Sequence, residues 1–185
     1  NYYVRLNFTS LIEIVDILGG VDVYSDYAFN TGWESGYEMA VSEGYNHFNG
    51  QQALAFCRER HNLVDGDNQR GRNQQAVITA MLKKVLSPTM LLKAGSILNQ
   101  VGEGVETNIS QGQLNSLVKY QLSTGAEWTI QSVAATGFDG EDYPYSMPND
   151  LVYVIYPDET VVDEIIHLTN VVEEGRNLTE GEQLN

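Results

Sequence analysis

Asn49-Gly50-Gln51-Gln52-Ala53-Leu54-Ala55-Phe56-Cys57-Arg58-Glu59-Arg60-His61-Asn62-Leu63-Val64-Asp65-Gly66-Asp67-Asn68-Gln69-Arg70-Gly71-Arg72-Asn73-Gln74-Gln75 reads as a short helix, an arginine-bearing exit, a turn and the start of a longer helix. The chain has six arginines, and four of them fall between positions 58 and 72. The formal net charge of the protein is -15, so dispersed surface arginines do not explain this concentration. A guanidinium is a rigid, permanently charged fork that matches phosphate oxygens better than a lysine ammonium does. The window reads as an anion pocket on an otherwise acidic surface.

A helix is expected from about residue 50 to 57, delivering Arg58 and Arg60. Asp65-Gly66-Asp67-Asn68 is turn chemistry, with Asp67 or Asn68 placed to cap a helix over residues 69–86. Arg70 and Gln74 are four apart and share one face of that helix, which Val77 and Met81 continue inward. Both lie in its first turns, where free backbone N–H groups and the helix dipole favour an anion. Arg58 and Arg60 are two apart and point the same way in an extended segment. Two arginine pairs joined by a turn suit a diphosphate gripped from two sides, and suit charge developing on a transferring phosphoryl group. Asp67, between the pairs, is placed to orient an arginine or to act as a base. The plainer alternative is a solvated network in which the arginines pair with Glu59, Asp65 and Asp67.

Outward from the window, residues 2–8 alternate like a strand, with Tyr2, Val4, Leu6 and Phe8 on one face. Ser10 and Glu13 form the pattern of a capping box for a helix over residues 11–18. Gly19-Gly20 ends it, and residues 21–24 read as a strand, giving the strand–helix–strand order of an α/β domain. Residues 25–49 are polar, glycine-rich and aromatic, a long excursion of the kind used as lids or binding loops, with a short strand near residues 37–41. Pro88 ends the long helix, and another follows over residues 90–101. Ser110 with Gln113 caps a helix through Leu122. Strands are expected at residues 128–134 and 151–156, separated by an acidic loop at 138–150. Thr160 caps a last helix over residues 161–174, and residues 175–185 form a polar tail. The domain is expected over residues 1–174, and a strand so close to the first residue suggests a fragment or a processed product.

Composition narrows the function. With 42% hydrophobic residues in 185, the chain is globular and long enough for one buried domain. Its negative charge repels DNA, RNA and anionic membrane faces, so no nucleic-acid partner is expected. The single cysteine, Cys57, sits in an apolar run and reads as a core residue rather than a nucleophile. His47 and His61 have no second His or Cys at metal spacing and read as loop residues. No apolar run reaches the ~18 residues of a membrane span.

The order of the first strand and helix, then Gly19-Gly20-Val21-Asp22-Val23, Asn49-Gly50-Gln51-Gln52-Ala53-Leu54 and the arginine window resembles the LytR–CpsA–Psr family. That family carries an Asn-Gly-x-x-Ala-Leu helix, an Arg-x-Arg pair, a loop with an aspartate, then an arginine and a helix bearing Gln-Gln. Arg58, Arg60, Asp67, Arg70 and Gln74 stand at those positions, with Gln75 adjacent. The match is close over about residues 1–90, and the later strand, the Pro157-Asp158 turn and the last helix also look like the family. The resemblance implies an α/β fold with a mixed β-sheet core sandwiched by helices, with the N-terminal part of the domain lying outside this chain.

It also implies a cell-envelope phosphotransferase that moves a glycopolymer phosphate from a polyprenyl-pyrophosphate carrier to a peptidoglycan acceptor, in teichoic acid or capsule attachment. Arg58, Arg60, Arg70 and Gln74 would then hold the pyrophosphate above an apolar pocket for the prenyl chain, with Asp67 supporting them; Arg72 matches less well. Mg²⁺ is the implied cofactor, but its ligands belong to the family's earlier segment, so no metal ligand is assigned here. A membrane helix would precede the domain and place it on the extracellular face of the cell membrane. A non-catalytic binder of lipid-linked pyrophosphate is the alternative from another class. Transcriptional regulation fits poorly with the charge and with the lack of a basic recognition helix.

Overall fold

A capping asparagine, a glycine contact and a buried polar stripe set the frame of the larger part of this chain. The structure, a computed structural model, describes residues 2–93, 97, 104–125, 130 and 132–176. It divides into two compact units, Asn1–Ile130 and Gln131–Asn185. The first contains β1 (Val4–Leu6), α1 (Phe8–Ile17), β2 (Val21–Ser25), β3 (Phe29–Asn30), a 3-10 turn (Trp33–Ser35), β4 (Ala40–Val41) and β5 (Gly44–Phe48). It continues through α2 (Gly50–Arg58), α3 (Gly66–Val85), α4 (Pro88–Leu91), β6 (Val105–Thr107) and α5 (Gln111–Thr124). The second unit contains β7 (Gly137–Asp142), β8 (Val152–Pro157) and α6 (Glu159–Glu173). The chain has the expected α/β character, and its described strands form four two-stranded antiparallel ladders, β1–β6, β2–β5, β3–β4 and β7–β8.

Helix α1 starts earlier than the Ser10–Glu13 pattern suggests. Asn7 is its N-cap and accepts the Ser10 backbone N–H at 2.8 Å and the Ser10 hydroxyl at 3.0 Å. An N-cap oxygen bonds the N–H of the third helical residue, which here is Ser10 itself. Beyond α1, Gly19 and Gly20 take positive φ (75° and 84°), and Lys84 Nζ donates to both of their carbonyls, at 3.3 and 2.6 Å. Strand β2 then alternates, burying Val21, Val23 and Ser25 and exposing Asp22 and Tyr24.

The region expected to be a lid, residues 25–49, is instead part of the packed body. Five residues of β5 pair with β2, from Val21 opposite Phe48 to Ser25 opposite Gly44. Val41 and Phe48 enter the core with Val15, Val23, Ala53, Phe56, Val77 and Met81. Phe56 is the hub, its ring 5.3 Å from Phe48 and 5.8 Å from Phe29, separations at which aromatic pairs attract. Polar residues between these anchors hid the strand pattern.

Asn49 and Gln52 form a capping box on α2. Its first residue, Gly50, lies against α1, where a β-carbon would fall well inside van der Waals distance of the Ile12 carbonyl oxygen and Cα. Helix α3 begins at Gly66, three residues before the expected start, and Asp65 is its N-cap residue without a side-chain capping bond. Asp67 and Asn68 are therefore inside the first turn and do not cap it. Along α3 the buried stripe is Gln69, Asn73, Val77 and Met81. Gln69 Nε2 donates to Asn73 Oδ1 at 3.0 Å, and Asn73 Nδ2 to the Phe56 carbonyl at 3.4 Å, so the polar half of the stripe has partners.

Other expectations change as well. Pro88, at the first position of α4, opens that helix as well as closing the region of α3. The rest of the expected helix at 90–101 lies mostly outside the described residues. The strand expected at 128–134 lies partly outside them, and residues 132–136 carry no regular structure. The acidic loop at 138–150 is half strand, because β7 pairs with β8, where Tyr153 and Tyr156 donate to Asp139 (2.6 Å) and Asp142 (2.9 Å). Helix α6 is capped by Asp158, not Thr160, whose N–H and hydroxyl both donate to the Asp158 carboxylate. The Ser110–Gln113 capping box on α5 is as expected. β6, opposite β1, is too short to show a period.

Gly50→Ala tests the α1–α2 contact. Alanine is the better helix former, yet forcing a methyl group against Ile12 is expected to lower stability by about 1–3 kcal/mol. Urea denaturation measures it, and a variant as stable as the parent contradicts the close approach.

Candidate functional site

The end of α2 and the start of α3 bring the arginine window to one cleft of about 690 Å³. Arg58, Arg60, Arg70 and Gln74 all line it, as do Glu34, Glu59 and His61. Apolar side chains line it as well, namely Val4, Leu6, Phe8, Leu11, Leu54 and Ile78. That size is ordinary for a small-molecule site.

One carboxylate oxygen holds two of the arginines. Asp67 Oδ1 is 3.1 Å from Arg60 Nε and 3.1 Å from Arg70 Nη2. Each guanidinium has five N–H donors, and Asp67 engages one nitrogen of each, so the shared acid brings two like charges together while leaving other donors over. Arg58 is held differently. Its guanidinium carbon lies 5.5 Å from the centre of the Phe8 ring, a cation–π distance, and its Nη2 donates to the Glu34 carbonyl at 3.4 Å. Gln74 Nε2 donates to the Cys57 carbonyl at 3.2 Å, tying α3 to the end of α2.

Arg72 is not part of this group. It turns to Asp65 (2.7 Å) and to Gln69 Oε1, and the hydrogen bonds from Arg72 and Asn68 hold the Asp65 carboxyl below its usual range. Cys57 is buried, and burial pushes its thiol up to about 12, which makes it a core residue rather than a nucleophile. His47 lies on β5, with Nδ1 2.7 Å from Asp22. Among the described residues no cluster of three His, Cys, Asp or Glu side chains is arranged to hold a metal ion.

The apolar wall differs from the expected one. Val77 and Met81 are packed in the core and do not line the cleft. Arg70, Gln74 and Ile78 form the cleft-facing row, one residue along from the buried row Gln69, Asn73, Val77 and Met81. Rows four residues apart drift only slightly around a helix, so both are continuous, and each combines polar with apolar side chains. Phe8 and Ile78 are more than half exposed, leaving an apolar surface beside the guanidinium groups.

Glu59, read from sequence as a surface acid, is 3% exposed. Its carboxylate accepts the backbone N–H groups of Gly32 (2.6 Å), Arg60 (2.8 Å) and Asn62 (3.1 Å). It joins the loop before the 3-10 turn to the exit of α2 and so sets the spacing of the cleft walls. Burial raises its pKa, but the backbone N–H bonds, with help from the Asn62 side chain, outweigh that and leave it lowered. The sequence signal available was its position between Arg58 and Arg60, which does not reveal burial.

A lowered folded pKa means the carboxylate stabilises the fold above the unfolded value, and that contribution is lost as pH falls through the folded one. Glu59→Gln is expected to cost about 1.5–3 kcal/mol at neutral pH, the range for hydrogen bonds to a charged group. The deficit should shrink below about pH 4. Denaturant midpoints across pH measure it, and parallel curves for parent and variant contradict the assignment.

Comparison with known proteins agrees with the motif. The LytR_cpsA_psr family profile matches residues 1–165. The chain is 32% identical over 162 residues to the polyisoprenyl-teichoic acid–peptidoglycan teichoic acid transferase TagU of Halalkalibacterium halodurans, covering 87% of this chain and 49% of that protein. It is 31% identical over 156 residues to biofilm regulatory protein A of Streptococcus mutans, covering 81% of this chain and 38% of that one. The chain thus spans half or less of the length of these relatives. The crystal structure of B. subtilis TagV aligns with a TM-score of 0.71 at 24% identity, over 96% of this chain and 65% of that one, which shows a shared fold. On the match of its sequence to the family profile, the chain belongs to the LytR_cpsA_psr family.

Proposed function

We propose that the full-length protein is a phosphotransferase of the cell envelope, moving a glycopolymer phosphate from a polyprenyl-pyrophosphate carrier to a peptidoglycan hydroxyl. The observation that carries this reading is the cleft itself, lined both by Arg58, Arg60, Arg70 and Gln74 and by the apolar Phe8, Leu11, Leu54 and Ile78. A polyprenyl pyrophosphate has the same two parts, a compact polyanion and an apolar chain. In the proposed complex the three guanidinium groups bind the pyrophosphate, Asp67 spaces two of them, and the apolar wall receives the first prenyl units. The name of the TagU relative, a transferase of teichoic acid to peptidoglycan, supports teichoic acid as the polymer class, with capsule polymer as the alternative cargo.

Guanidinium groups act here on charge. As the acceptor oxygen approaches phosphorus and the bond to the carrier phosphate lengthens, negative charge builds on the transferring and leaving oxygens. Donors already fixed in place stabilise that charge without reorganising. Mg²⁺ would add charge neutralisation; among the described residues no cluster of three His, Cys, Asp or Glu side chains is arranged to hold it, and in this proposal its ligands come from the family's earlier segment. Among the described residues no helix is long and apolar enough to cross a membrane. Attachment to the membrane, with the cleft on the extracellular face, is part of the proposal.

Arg60→Ala and Arg70→Ala in the full-length protein are each expected to remove on the order of 2–4 kcal/mol of transition-state stabilisation, about a hundredfold in rate or more. Melting should change little, because half-exposed ion pairs contribute at most about 1 kcal/mol. Arg72→Ala, whose guanidinium turns to Asp65 and Gln69, should transfer nearly as the parent does. Transfer rates and melting temperatures on the same preparations test this. Equal loss in all three variants contradicts the proposed site.

A further inference from the structure

We propose that Glu34 and His61 form the base that takes the proton from the incoming hydroxyl; the inference rests on the phosphotransfer reading above. His61 Nε2 lies 2.7 Å from Glu34 Oε2, and both residues line the cleft with the arginines. They are 27 positions apart in sequence and come from two separate elements, the 3-10 turn and the segment after α2. The buried Glu59 carboxylate joins those elements, binding the N–H of Gly32 on one side and of Asn62 on the other. Arg58 adds a second tie by donating to the Glu34 carbonyl. The backbone segments that carry the pair are therefore tied together by a buried anchor, while the His61 and Glu34 side chains are 67% and 50% exposed and open to an incoming acceptor.

The other polar groups at the cleft are poor proton acceptors. Arg58, Arg60 and Arg70 stay protonated. The Cys57 thiol is buried and pushed up to about 12. Glu59 is committed to three backbone N–H groups, and Asp67 to two guanidinium groups. With the Nε2 proton donated to Glu34, the Nδ1 lone pair of His61 faces no such commitment, and the carboxylate steadies the imidazolium once formed. The charged groups sharing the cleft with His61 are Glu34 from the turn, Arg58, Glu59 and Arg60 from the end of α2, and Arg70 from α3.

In the step, the acceptor hydroxyl oxygen bonds to the polymer-linked phosphorus and its proton passes to Nδ1. The P–O bond to the carrier's phosphate breaks, and that bond's electron pair leaves with the prenyl monophosphate. The proton is later released to water.

The test uses the full-length protein, a farnesyl-pyrophosphate-linked disaccharide as donor and a soluble peptidoglycan oligosaccharide as acceptor. His61→Gln is expected to lower kcat about a hundredfold with donor KM nearly unchanged, and to abolish the acid limb of the pH–rate profile. Glu34→Gln should lower kcat without changing donor KM, and added imidazole should restore rate to His61→Ala. Parent-like kcat and an intact acid limb in His61→Gln overturn this inference alone. Lost rate that imidazole does not restore, with an earlier melt, makes His61 structural and also overturns it. A parent protein that neither binds nor transfers the donor overturns the phosphotransfer reading, and this inference with it.

Discussion

The buried carboxylate of Glu59 is the constraint from which the cleft follows. Chain leaving a helix has polar groups that need partners, and a segment crossing back beside it has more. Glu59 meets three of these N–H groups, at Gly32, Arg60 and Asn62. Its neighbours Arg58 and Arg60 line the cleft beside it. Removing it would leave three donors to find new partners and would remove the buried tie between the turn carrying Glu34 and the segment carrying His61.

A second constraint is electrostatic. Holding guanidinium groups close together costs energy unless a counter-charge stands between them. Asp67 supplies that charge to Arg60 and Arg70 through one oxygen, and the Phe8 ring gives Arg58 a softer partner. The arrangement is compatible with an anion-binding role, since an arriving pyrophosphate brings further negative charge to donors that Asp67 does not exhaust. It also relates the two sequence readings of the arginine window, for the local acid pairing is real and is centred on the cleft.

Much of the site was legible because its residues are close in sequence and chemically unusual in an acidic chain. Arg58, Arg60, Arg70 and Gln74 converge as expected, since two helix ends and a turn leave them few other places to go. The apolar wall was misplaced by one residue. Gln69 and Asn73 are polar yet buried, so the α3 stripe looked as if it began at Val77 and continued from Arg70. The strand β5 and the role of Glu59 were hidden for a related reason: each depends on a partner far along the chain, Val21–Ser25 for the first and Gly32 for the second. Helix starts were displaced where a preceding Asn or Asp, such as Asn7 or Asp158, capped more effectively than the Ser or Thr behind it.

The most direct test of the central claim is a structure of the protein bound to geranyl pyrophosphate. The account predicts diphosphate oxygens within about 3.2 Å of guanidinium nitrogens of Arg58, Arg60 and Arg70, with the prenyl carbons lying against Phe8, Leu11 and Ile78. Diphosphate bound away from these arginines, or a cleft that stays empty at saturating ligand, would contradict it.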